Sequence, residues 1–257
     1  MYKQEHFSDK VLKFNDELAD IVIDLPANFH LSNPFNSENK EKIKEVAYVF
    51  YKKYYNDNKK RYLILGSSPA RRGTAVTGIP FEDVNHLYKI TGIKIDDFYI
   101  NKSSSDFLYQ VMEQYGGCEK FYNDFFMSFV CPLGIVKVNS NGNEVNCNYY
   151  ENKKIESSLY DFIVETLRKQ ISFGIDTSIC YCIGSGENYK FLTKMNEQYH
   201  FFDKIIPLEH PRFIMQYNSK DKDKYLSKYV DALNSRNWNN DNFCAIISLD
   251  IEECNKS

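Results

Sequence analysis

Tyr62-Leu63-Ile64-Leu65 runs directly into GSSPARRGTAVTGIPF, residues 66–81. The first four residues form the short apolar run of a buried strand. The chain then leaves that strand tightly: Gly66 and Gly73 permit unusual dihedrals, and Pro69 stiffens the turn between them. Backbone N–H groups in such a loop can converge on an oxyanion, a phosphate or a carbonyl oxygen. The GK[ST] ending of a Walker loop and the GxGxxG spacing are both absent. A nucleotide-phosphate site, a nucleobase site and a plain tight turn therefore remain open. Far downstream, His210-Pro211-Arg212-Phe213 follows another apolar run, Ile205-Ile206-Pro207-Leu208. A parallel sheet would bring the C-terminal ends of both strands to one edge, where open α/β sheets bind their ligands.

The rest of the pattern fits such a sheet. Strands are expected at 62–65, 125–130, 178–183 and 204–208. Amphipathic helices are expected at 11–23, 39–55, 81–90, 104–115, 155–173, 187–199 and 225–233. Gly174 should stop the longest of these, and Asn139-Ser-Asn-Gly-Asn is turn chemistry for a loop or a small hairpin. A short terminal strand is expected at 245–249. The order predicts one three-layer α/β/α domain over residues 1–257, with a central, mainly parallel four-stranded sheet and a helical extension at 1–40.

Composition narrows the class. The chain has 257 residues, 43% of them hydrophobic, which supports a substantial core. No run approaches the ~18 apolar residues of a membrane span, and the start MYKQEHFSDK is not that of a signal peptide; a cytoplasmic protein is expected. The seven cysteines are odd in number and contain no CxxC, so they read as reduced core residues, with Cys180 and Cys182 on one face of a strand. No metal or iron–sulfur set stands at ligand spacing. A net charge of −3 does not mark a nucleic-acid binder. Locally, Lys204 to Lys228 holds six basic against three acidic side chains, and Arg71 and Arg72 add two positive charges to the first motif. Both patches could meet phosphates. Among 20 tyrosines and 19 phenylalanines, those at a site mouth could stack on bases.

The 66–81 segment resembles the first motif of the single-strand-selective monofunctional branch of the uracil-DNA glycosylase superfamily, of the form GMNPGPFGMAQTGVPF. The match is ungapped and keeps Gly66, Pro69, Gly73, Ala75, Thr77, Gly78, Pro80 and Phe81. Cys131-Pro132-Leu133 resembles a CPL after that family's second strand, and HPRFIMQY (210–217) is similar to the ending found in the family's bacterial second branch. The resemblance spans roughly 40–235. It implies a monofunctional glycosylase that hydrolyses the N-glycosidic bond of uracil or a related deaminated base (xanthine or hydroxymethyluracil) in base excision repair. It also implies a monomer acting on single- or double-stranded DNA, with no metal or cofactor and no Schiff-base lysine.

Carried onto this chain, the resemblance assigns catalysis to His210, as donor to the departing base, and to Ser68, which stands where the family's water-positioning Asn would be. Phe81 would stack under the base. The backbone from Ser67 to Ala70 would read its edge, and Thr77 belongs to the same motif. The family's base-reading Asn falls at Phe129, for which Asn148 is a candidate replacement. Ser68 can hold a water but cannot act as a carboxylate base; Glu82 and Asp83 are candidate helpers, or else simply N-terminal helix charges. Arg71, Arg72, Arg212 and Phe213 are candidate DNA contacts, with the loop after His210 wedging into the duplex. The Ser68 departure leaves two alternatives. One is a non-catalytic binder of damaged or single-stranded DNA, recognised by binding without base release. The other is a nucleoside or nucleotide hydrolase, recognised by cleavage of free deoxyuridine.

Overall fold

The computed structural model describes residues 5–71, 73–95 and 103–235. Arg72 and the strand expected at 245–249 lie outside them. Four strands, β2 (Arg61–Gly66), β3 (Phe125–Phe129), β6 (Ile175–Ile183) and β7 (Ile205–Leu208), form a wholly parallel sheet in the order β3-β2-β6-β7. Leu63, Ile64 and Leu65 are all buried, as are Cys180, Tyr181, Cys182 and Ile183. Successive strand residues point to opposite faces, so burial of every one means that helices cover both faces. This is the three-layer α/β/α arrangement expected. Cys180 and Cys182 are unpaired thiols in its core.

The connections differ from expectation where the elements are short. The first helix, α1 (Phe7–Ala19), begins four residues early, because His6 and Asp9 form a reciprocal capping box. Residues 20–28 leave it as loop, with Val22 exposed. The 1–40 segment is thus not simply helical: it supplies β1 (Phe29–Ser32), which pairs antiparallel with β4 (Gly134–Val138). β4 in turn pairs with β5 (Glu144–Cys147) across the Asn139 turn. The helix expected to start at Phe81 begins instead at Val84, as α4 (Val84–Thr91). Phe81 takes φ +62°, outside helical space, and the Asp83 carboxylate accepts from Asn85 and His86 N–H as the cap. Between them, α2 (Lys40–Tyr54) and α3 (Thr74–Thr77) flank the motif loop in sequence. α5 (Ser103–Tyr115), α7 (Lys153–Ile171), α8 (Glu187–Tyr199) and α10 (Lys222–Asn234) stand as expected within a few residues, and Gly174 at φ +116° follows α7. Three short helices were not foreseen: α3, α6 (Cys118–Asp124) and α9 (Pro211–Tyr217).

Two buried ionic groups organise this core. Arg61, 1% exposed, donates to Asp57 and to the carbonyls of Tyr122 and Tyr54, and lies against the rings of Phe7 and Tyr55. It ties α1 and α2 to the sheet. Glu82, 3% exposed, accepts hydrogen bonds from the hydroxyls of Tyr109 (2.7 Å) and Tyr122. Burial pushes its carboxyl up to about 7, against the opposing effect of the two tyrosine donors. An acid with a raised folded pKa binds its proton more tightly in the native state, so its contribution is full at low pH and lost as pH rises through the folded value. Stability is therefore expected to fall by about 2 kcal/mol between pH ~5 and ~7 from this group. Denaturant melts of the parent and of Glu82→Gln check this: Gln should remove that part of the slope, and an unchanged slope would refute it.

Candidate active site

Register places the two motifs. Gly66 pairs with Phe129 on one side. Leu65 pairs with Cys182, which pairs with Pro207, and Ile183 pairs with Leu208. Gly66 and Leu208 thus end their strands on one level, two strand spacings or about 10 Å apart. Ser68 and His210 each stand two residues beyond that level, at the same carboxyl edge of the sheet.

The floor on the loop side is aromatic. The Phe81 and Phe129 rings stack at 5.2 Å and 26°. A Cβ at residue 66 would stand 2.6 Å from Phe81 and 2.9 Å from Phe129, so only glycine lets the rings close over the strand end. The unusual Phe81 backbone is held by its N–H to Thr74 Oγ1, 3.1 Å. The loop itself is held by the residues after β3: Val130 and Cys131 N–H donate to the Gly66 and Ser67 carbonyls at 2.8 and 2.9 Å. Gly134 packs so close to Pro69 that a Cβ there would meet its carbonyl at 2.8 Å. The CPL segment is therefore the buttress of the motif loop.

Ser67 and Ser68 are half-buried, and both hydroxyls donate to Asn148 Oδ1, at 3.1 and 3.4 Å. Asn148 was expected in the site; the structure brings it to the serines, while Phe129 serves as the ring beneath Phe81. Ala70 is exposed, and its carbonyl accepts from Gly73 and Ala75. Arg71 is braced by β5, its N–H on Asn146 Oδ1 at 2.8 Å and its guanidinium on Glu144 at 3.4 Å. Thr77 departs from expectation. It is fully buried and its hydroxyl donates to the carbonyls of Ile79 and Glu82, so it shapes the turn instead of facing the crevice. Glu82 and Asp83 are also turned inward. Asp83 binds His86 Nδ1 at 2.5 Å and Ser105 Oγ at 2.6 Å. Burial alone would raise Asp83, but these hydrogen bonds hold it below the usual carboxylate range. Among the described residues, Asp83, His86 and Asp106 bring three metal-type ligand atoms within 4.8 Å. Two of those three side chains are already spent on each other and on the start of α4.

Across the crevice, His210 is the N-cap of α9, and Pro211 opens that helix with the φ it prefers. Arg212 N–H donates to His210 Nδ1 at 3.1 Å. An Nδ1 that accepts carries no proton, so the neutral ring keeps its hydrogen on Nε2. Burial, with the Arg212 charge added, pushes His210 down to about 4. The segment is anchored from behind: Tyr229 donates to the Glu209 carbonyl, and Lys228 pairs with the Glu209 carboxylate at 2.8 Å. The expected loop after His210 is thus a helix. Its first turn exposes Arg212, steadied by Gln216 at 3.1 Å, and Phe213, 46% exposed. Tyr217, 77% exposed and 6.2 Å from Phe213, completes an aromatic edge that the i, i+4 spacing could have revealed.

A backbone loop and a neutral histidine donor at the carboxyl edge of a parallel sheet, over a stacked phenylalanine floor, is the architecture of a base-excising enzyme. The family model of the Uracil DNA glycosylase superfamily matches residues 52–234, and the chain belongs to that superfamily. It is a DNA glycosylase, a hydrolase of N-glycosyl bonds acting in base excision repair. Within the superfamily it is similar to the crystal structure of wild-type SMUG2 from Pedobacter heparinus. The two share 44% identity at a TM-score of 0.85, over 91% of this chain and 99% of that one. This agrees with the single-strand-selective type and its bacterial second branch. Among curated proteins, none matches this sequence. No helix among the described residues is long and apolar enough to cross a membrane.

Proposed function

We propose that this enzyme flips uracil from DNA into the crevice between the 66–73 loop and His210 and hydrolyses its N-glycosidic bond there, as a monomer in the cytoplasm. The base stacks on Phe81, itself backed by Phe129, while Ser67 and Ala70 backbone groups read its edge. Ser68, with Asn148 beside it, holds the water that attacks C1′. As the C1′–N bond breaks, its electron pair leaves with the base, and His210 Nε2–H donates to the base oxygen on which negative charge builds. That is preorganised electrostatic stabilisation, stronger than in water because the site is partly desolvated. Arg71 and Arg212 meet phosphates, and Phe213 with Tyr217 fills the stack that the base has left. This scheme needs no metal or cofactor.

The observation that carries this reading is the fixed tautomer of His210. A neutral donor held by Arg212 N–H is already in its working state and needs no proton from solvent. The test is single-turnover base release from single- and double-stranded oligonucleotides carrying uracil or xanthine, with abasic sites cleaved by alkali, across pH. Uracil release is expected to stay level from pH ~8 down to ~5.5 and to fall only as pH approaches ~4, where His210 gains a proton and loses the Arg212 bond. Loss of rate above pH ~6.5 would mean that imidazolium is the active form and would sink the neutral-donor mechanism. Binding of DNA without release from any substrate would remove the catalytic reading.

A further inference from the structure

We propose that Glu151 is a positioning residue for the attacking water, acting through the carboxamide of Asn148; the inference rests on the assignment of Ser68 as the water holder. Glu151 follows β5 on the short turn before α7 and is exposed. One of its oxygens, Oε1, accepts from both N–H groups of Asn148: the side-chain Nδ2 at 2.8 Å and the backbone N at 3.0 Å. Glu151 N–H returns a bond to the Asn148 carbonyl at 3.1 Å, which closes the turn.

A carboxylate only accepts, so the nitrogen of the amide must face Glu151 and the oxygen must face the serines. With that oxygen toward them, Ser67 and Ser68 both spend their single hydroxyl hydrogen on Asn148 Oδ1. What Ser68 then offers the crevice is lone pairs. A water resting there must give Ser68 a hydrogen, which leaves its own lone pair directed outward, toward a sugar carbon in the crevice. With the amide turned over, Nδ2 would donate to Ser68, the Ser68 hydrogen would point into the crevice, and the water's lone pair would be consumed by it. Ser68 cannot set this polarity alone, because a hydroxyl rotates freely between donor and acceptor roles. Glu151 thus supplies the directional information that a carboxamide would carry itself if it stood at position 68.

The test is a double-mutant cycle read by single-turnover uracil release, with DNA affinity and melting temperature measured alongside. Glu151→Ala is expected to slow release about tenfold through misorientation of the water, with DNA affinity unchanged. Glu151→Gln should recover most of that loss, since both bonds run to one oxygen and a carboxamide oxygen can accept both. In an Asn148→Ala background, Glu151→Ala should cost nothing further. If Glu151→Ala fails to fold, Glu151→Asp serves in its place, because its shorter arm retains the turn but falls short of Nδ2. Parent-like release by Glu151→Ala, an undiminished penalty in the Asn148→Ala background, or a loss carried wholly by DNA affinity would each overturn the proposal. A parent protein that releases no uracil would instead overturn the functional reading beneath it.

Discussion

His210→Ala is expected to slow uracil release by about 10²- to 10³-fold, the usual effect of removing one preorganised donor from a developing anion, roughly 2.7–4 kcal/mol of barrier. The loss should fall on the chemical step, with DNA affinity kept, because the surface groups near it, Arg212, Phe213 and Tyr217, are untouched. His210 has a second job that the experiment must separate. Its Nδ1 caps α9 by accepting from Arg212 N–H, and losing a cap costs about 1 kcal/mol of stability. His210→Ser resolves the two. A serine caps well but cannot reach the base, so its melting temperature should recover while its rate stays as low as that of alanine. A serine variant as fast as the parent would show that the histidine matters only as a cap.

Gly66→Ala should be nearly as damaging, although residue 66 touches no substrate. The new methyl would stand 2.6 Å from Phe81 Cζ and 2.9 Å from Phe129 Cδ1. The Phe81 ring can retreat only into the space where the base is to stack, and the Phe129 ring is buried. Phe81 is pinned by its own backbone at φ +62° and by the Thr74 hydroxyl, and Phe129 ends a buried strand. The pair must shift together and carry the stacking floor with it. A displacement of about 1 Å at a reacting centre can cost on the order of 10² in rate, and overpacking costs about 1–3 kcal/mol of stability. Single-turnover release and a thermal melt measure both. Phe129→Leu placed on Gly66→Ala should recover part of each by making room, and a Gly66→Ala enzyme of parental rate would refute the steric account.

The parts that the sequence revealed are those with strong local physics. The four sheet strands are apolar runs of four or more residues, and their parallel arrangement follows from the helices between them. The main departures are short or set by a side chain. β1 has four residues, too few for an alternation to declare itself, and α9 has seven, opened by a proline that could as well begin a loop. α4 starts where Asp83 can cap, not where the apolar pattern begins. At the site, Ser68 and Asn148 are 80 positions apart in the chain, and only the β4–β5 hairpin brings them together. Glu151 was missed because its signal is a bare Asn-x-x-Glu spacing on a turn; nothing local says that the asparagine's other end faces a catalytic loop. Thr77 was misjudged for the opposite reason, since its place in a matching motif does not say whether it serves the substrate or the turn.

The division of the crevice between residues 66–81 and His210 bears on how the enzyme comes to life during synthesis. Its two halves are separated by about half of the chain, and they meet only when β7 pairs with β6 and α10 pins Glu209 from behind. Parallel pairings of this kind close long loops and form late. A nascent chain that has folded through β5 and Asn148 already owns the aromatic floor and the braced serine loop, yet it has no His210. If His210 is the donor proposed above, base removal begins only with the last strand of the sheet, and a half-made copy has no base-excising activity.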